Sequence, residues 1–215
     1  SMTLDDGDII TLYNDDKSLT DTFLLDGDKK ITIRSSGGNY TIKGTDSWMG
    51  TVFQSTGAKP TIIWDSVSVN AGYDANYYLD ISSSPSWTER GVVSITNAHF
   101  DEAYSGIRIQ GGINATITNS TIASGGVTAM DGAFLSIVID SNASNTPTWN
   151  GGITMNSAVQ LSIDVAAGKV LALNGSVMAR NNQTPFTKSG VVTVKIRSCP
   201  RRSTQHAETT ELTIF

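Results

Sequence analysis

This chain lacks most of what would staple or charge a fold. One cysteine, Cys199, among 215 residues excludes an internal disulfide framework. No apolar run approaches the ~18 residues of a membrane helix, which excludes helical insertion by this segment. Charged residues make up only 16%, and with a net charge of −5 no basic stripe forms before the last twenty residues, which excludes nucleic acid as a partner. Helical spacing of apolar residues is absent, so no helix longer than a turn or two is expected. The two histidines, His99 and His206, have no cysteine or carboxylate at ligand spacing, which excludes a zinc site. Neither a Gly-x-Ser-x-Gly nucleophile motif nor a phosphate-cradling glycine loop occurs, and no cofactor is expected. Ser1-Met2 reads as a cloning remnant, so a targeting segment is expected to have been removed. The sequons at Asn39, Asn114, Asn119, Asn142, Asn174 and Asn182 are what chance places in a chain this rich in Asn, Ser and Thr.

What the chain does have is a period. Ile63-Trp64-Asp65-Ser66, Ile95-Thr96-Asn97-Ala98 and Ile117-Thr118-Asn119-Ser120 share one four-residue pattern, and Ile117 follows Ile95 by 22 residues. Asp6-Gly7-Asp8 and Asp26-Gly27-Asp28 repeat at an offset of 20, each before an apolar strand. Short alternating stretches such as Ile31/Ile33, Leu161/Ile163/Val165 and Val192/Val194 mark half-buried strands, and Asp-Gly marks tight turns between them. Repeats of this length made of strands and turns predict an all-β, right-handed, single-stranded parallel β-helix with coils of ~20–22 residues. Ile95 over Ile117 forms an interior ladder in that fold, and Asn97 over Asn119 a turn ladder. With coils ~4.8 Å apart, nine or ten of them make a rod of about 45 Å. An antiparallel β-sandwich also accommodates the strands but gives no reason for Ile-x-Asn-x to recur at coil spacing.

One β-helical domain is expected over 1–196, with 197–215 an irregular end segment, an end coil or a non-native tail. The step from Ile63 to Ile95 is 32 residues, so a surplus must leave the rod, and 72–91 is the expected projecting loop. It carries Tyr73, Tyr77, Tyr78 and Trp87, amphipathic rings of the kind that recognition surfaces use and that sugars stack on. The same rings could equally fold back over the rod's side. Ser141–Gly152 is a second, smaller excursion.

Two stretches resemble known bacterial proteins. Lys29–Thr45 is similar to the opening coils of right-handed β-helix surface proteins. In Leu161–Val194, Gly168, Lys169, Leu171, Leu173, Gly175, Lys188 and Gly190 follow a pattern of autotransporter passenger domains, and Val192 stands where that pattern has a glycine. The resemblance implies a fragment of a bacterial surface or secreted adhesin, extracellular, exported with a separate membrane barrel. It would act in adhesion or as a spacer, with a host-surface protein or glycan as partner.

The alternative is a polysaccharide-active β-helix enzyme or a carbohydrate-binding module. Glycoside hydrolysis needs two carboxyl groups roughly 5 to 9.5 Å apart. Among Asp65, Asp101, Glu102, Asp131, Asp140 and Asp164, the pair Asp101-Glu102 with Arg108 is the best set on offer, and no lyase or glycosidase motif accompanies it. The expectation is therefore a protein that is not an enzyme. Eight of the first 28 residues are Asp, which raises calcium as a bridge between stacked carboxylates, although turn chemistry alone also accounts for Asp-Gly.

Overall fold

A computed structural model of the chain describes residues 1–15, 19–45, 48–57, 59–84 and 88–180, and the backbone of strands at 187–189, 192–196 and 210–214. It is all-β, with no helix among the described residues. Three eight-stranded sheets run along the molecule. The first holds β1 (Met2–Leu4), β3 (Phe23–Leu25), β6 (Thr51–Ser55), β9 (Tyr77–Ser82), β12 (Gly106–Gln110), β15 (Val127–Met130), β18 (Ile153–Asn156) and β21 (Val177–Arg180). The second holds β2 (Ile9–Leu12), β4 (Lys30–Ser35), β7 (Thr61–Asp65), β10 (Gly91–Thr96), β13 (Ile113–Thr118), β16 (Phe134–Ile139), β19 (Gln160–Val165) and β22 (Thr187–Ser189). The third holds β5 (Tyr40–Lys43), β8 (Val67–Asn70), β11 (His99–Asp101), β14 (Thr121–Ile122), β17 (Thr148–Trp149), β20 (Leu171–Leu173), β23 (Val192–Ile196) and β24 (Thr210–Ile214). The chain visits the sheets in turn, and each strand pairs in parallel with its counterpart one coil away, which is a parallel β-helix. The exception is β24, antiparallel to β23.

Register makes the core. In the second sheet Ile33, Trp64, Ile95, Ile117, Ile137 and Ile163 stack in one column, all 2% exposed or less. In the third, Ile42, Val69, Phe100, Ile122, Trp149 and Leu173 do the same. Each such side chain contributes about 1.5–3 kcal/mol on burial, but only when the coils above and below exclude water. Indole N–H groups cannot be left unpaired there. Trp64 Nε1 donates to Val67 O at 2.7 Å, and Trp149 Nε1 donates to Ser120 O at 2.9 Å. At the corner between third and first sheets the backbones approach so closely that a Cβ on Gly126 would stand 2.5 Å from Gly151 O, and Gly126 has φ +78. Glycine is the residue that fits both conditions.

Several expectations change. Trp64, not Ile63, lies beside Ile95, and Ser66 is the counterpart of Asn97. Ser66, Asn97 and Asn119 all make a left-handed bend between second and third sheets, with φ of 56, 52 and 49. The side-chain rung runs from Asn119 to Asp140: Asn119 Nδ2 donates to Asp140 Oδ1 at 2.7 Å, and Asp140 N donates to Asn119 Oδ1 at 2.9 Å. The stretch 72–91 does not project as one loop. Its middle is β9, paired on both edges, because Leu79 and Ile81 belong to the interior of the first sheet. Much of the surplus falls in the connection 83–90, of which 85–87 lie outside the described residues. In the second excursion Trp149 is fully buried, so only 140–147 leave the coil. Coil steps as long as Ile31 to Ile62 reduce the count to eight strands per sheet, a rod of about 34 Å. In 197–215 the strand β24 is placed, and the rest lies outside the described residues.

The Asp-Gly-Asp turns join first to second sheet in successive coils. Lys30 N donates to Asp6 Oδ1 at 2.7 Å and Lys59 N to Asp28 Oδ1 at 2.6 Å, so these carboxylates tie one coil to the next through amide donors. Among the described residues no three His, Cys, Asp or Glu side chains gather as a metal site.

Two stability outcomes follow from the columns. Ile95→Asp buries an unpaired charge and should cost more than about 4 kcal/mol in urea unfolding; an unchanged midpoint would remove Ile95 from the ladder. Ser55 stacks between Leu25 and Ile81, is 0% exposed, and its hydroxyl lacks a partner. Ser55→Ala should therefore raise stability by about 1 kcal/mol, and a lowered midpoint would mean that the hydroxyl is satisfied.

Candidate functional site: the outer face of the third sheet

The strands of the third sheet in mid-rod are two to four residues long, so the corners on both sides stand close to its outer face. Alternation sends Phe100 inward and His99 and Asp101 outward. A short chain of hydrogen bonds fixes this face across coils. His99 N donates to Ser68 Oγ at 3.1 Å, Ser68 Oγ donates to Asn39 Oδ1 at 2.6 Å, and Asn39 Nδ2 donates to Asn97 O.

Three cavities lie in a row over this face. One of about 320 Å³ sits at the corner from second to third sheet, lined by the amides of Asn97, Asn119, Asn142 and Asn145 together with His99. The next, about 330 Å³, lies over the strands, with Lys43, Asn70, His99 and Asp101. The third, about 470 Å³, is at the corner from third to first sheet, between Tyr73, Asp101, Glu102, Tyr104 and Ser124. His99 borders the first two cavities and Asp101 the last two, so the three lie side by side as one groove whose amide-lined end is the most polar.

The backbone at the groove's aromatic end is tied to the neighbouring coil. Tyr73 is 73% and Tyr104 83% exposed, and both stand on turns braced by the coil stack, Tyr104 N donating to Ala75 O. Beneath them the Tyr78 hydroxyl lies 2.7 Å from Ser124 Oγ and accepts from Ala103 N at 3.1 Å. Burial pushes its phenol up to about 12. Glu102 occupies the left-handed region with φ 58, while its N–H is held by Asp101 Oδ1 at 2.9 Å. Like Ser66, Asn97 and Asn119, it turns a corner of the coil. At the other end the Asn119 amide, with Asn142 N–H, holds the Asp140 carboxyl below its ordinary value.

Of the four aromatics expected to bind, three are described, and among these the structure brings only Tyr73 to this groove. Tyr78 is fully buried against Phe100, ring centroids 5.3 Å apart, and is core. Tyr77 is half-buried on the first sheet, under the Arg108 guanidinium at 4.9 Å. Trp87 lies outside the described residues. The candidate set Asp101, Glu102 and Arg108 is not assembled. Arg108 is clamped by Asp80, Nε to Oδ1 at 2.7 Å and Nη2 to Oδ2 at 2.6 Å, and this pairing raises its pKa. Asp65 carries a turn bond to Ser66 Oγ, and Asp131 accepts from Gln110 Nε2, both away from the groove. Tyr104 was missed. Its signal in the sequence is only one tyrosine in the turn after Asp101-Glu102.

Comparison with family models, with curated proteins and with solved structures finds no match.

Tyr78 gives the site a pH signature. In the unfolded chain the phenol ionises at its ordinary 10.0, in the folded chain at about 12. Its contribution to stability is therefore complete below pH 10 and is lost as pH rises from there toward 12. Melting temperature against pH should fall over that window, and Tyr78→Phe should flatten the fall. An equally steep decline in the variant would assign it to other groups.

Proposed function

We propose that this chain is a segment of a bacterial cell-surface or secreted β-helix protein that works without catalysis, as an adhesive surface or spacer, with a host-surface protein or glycan as its partner. The observation that carries the reading is the groove over the third sheet. It combines exposed tyrosine rings with fixed amides and carboxylates on a rigid, stacked support, and rigid placement lowers the ordering cost of binding. The extracellular setting is supported by the resemblance of Leu171, Leu173, Gly175 and their neighbours to passenger coils.

A second reading keeps Asp101 and Glu102 as a carboxyl pair in one cavity, facing a polysaccharide. The engagement of Arg108 by Asp80 counts against it, since no cation is then free in that trio to balance charge on an acidic substrate. The test is to incubate the purified chain with animal, plant and bacterial cell surfaces and, separately, with pectin, alginate and chondroitin. Saturable cell binding with no release of reducing or unsaturated sugar ends is the expected result. Release that disappears in Asp101→Asn would replace the adhesive reading with the enzymatic one.

A further inference from the structure

We infer that the groove takes a neutral glycan chain laid across the third sheet, one ring to each cavity, with Tyr73 and Tyr104 as its stacking end. This deepens the adhesive reading and rests on it. The argument starts from the chemistry of the walls. Tyr73 and Tyr104 are exposed rings on one cavity of about 470 Å³, the residue type on which apolar sugar C–H faces stack. Asp101 and Glu102 line the same cavity and accept hydrogen bonds. Sugar hydroxyls are the donors that suit them.

Charge selects among glycans. The two carboxylates at the aromatic end repel uronate or sulfate groups, and the chain as a whole carries −5. Lys43, the cation on the middle cavity, lies 3.8 Å from Asp15 and is outnumbered along the groove by Asp101 and Glu102. At the far end the lining is amide, Asn97 and Asn142, which both donates and accepts and suits neutral hydroxyls in any orientation. The direction of the chain follows from the shared walls: His99 and Asp101 each border two cavities, so an occupant passes from corner to corner along β11. Glu102 lets binding be tested apart from folding. At φ 58 a glycine is at ease where glutamate is strained, so the fold has no need of the carboxylate.

The experiment is affinity electrophoresis of the purified chain in gels containing dextran, mannan, laminarin or, as the charged arm, polygalacturonate. At least one neutral polymer should retard the wild type, and Tyr73→Ala, Tyr104→Ala and Glu102→Gly should each weaken that retardation at least tenfold. Glu102→Gly should melt no lower than wild type, which separates lost binding from lost fold. Tyr13→Ala, which removes an equally exposed ring 71% open on the first coil, should bind as wild type does. Retardation by polygalacturonate alone, or equal retardation of all variants, would overturn the proposal. Cell binding that survives in Tyr104→Ala and on periodate-treated cells would overturn it too, while leaving the adhesive reading in place.

Discussion

No coil of this chain can bury its own inner face, and everything else in the molecule depends on that constraint. A coil is three short strands and three turns, with one to three apolar side chains pointing inward from most strands. Water is excluded only when a second coil covers them in register. A slip of one residue would turn Ile95 outward and Thr96 inward, so the hydrophobic columns themselves specify the register. The corners then have to permit close approach. Gly126 over Gly151 is one consequence; the left-handed bends at Ser66, Asn97 and Asn119 are another.

The same register creates the groove. Its walls come from several coils: Asn39 from before β5, Ser68 from β8, His99 from β11, Thr121 from β14 and Asn142 from the turn after β16. None of them is near another in sequence except by the period. Inward side chains hold the coils at fixed spacing, and outward ones are thereby presented as rigid rows. The face is distinguished from the other two by its short strands and by the turns that rise beside it. The first sheet's outer face is occupied differently, with Asp80 only 6% exposed and closed off by the bidentate Arg108 and the half-buried Tyr77.

The architecture was legible where side-chain size and turn chemistry repeat together. Ile95 and Ile117 sit one above the other because both Ile and the Asn two residues on recur at the coil step. The copy at Ile63 misled by one residue, since an indole can replace isoleucine in the column and Trp64 does so. The segment 72–91 read as a projecting loop because the step from Ile63 to Ile95 carries a surplus; its strand-like stretch Tyr78-Leu79-Asp80-Ile81 holds a charge. Its compensation, Arg108, lies 28 residues away on the next coil and is invisible to local pattern. Tyr78 looked like a recognition ring; its hydroxyl finds Ser124 across the corner, a partnership that composition cannot announce. The groove was the least legible part, because it belongs to stacking and to no single stretch.

The most direct test of the stacking account is a disulfide placed on the groove face itself. His99 and Thr121 are register partners on β11 and β14, adjacent coils at roughly 4.8 Å, within reach of a disulfide. Thr148 lies one coil further, roughly 10 Å from His99, beyond that reach. In a Cys199→Ser background, His99→Cys with Thr121→Cys should cross-link under mild oxidation with the β-structure intact, and His99→Cys with Thr148→Cys should not. Cross-linking of the distant pair, or none in the adjacent one, would contradict the coil register on which both the core and the groove are built.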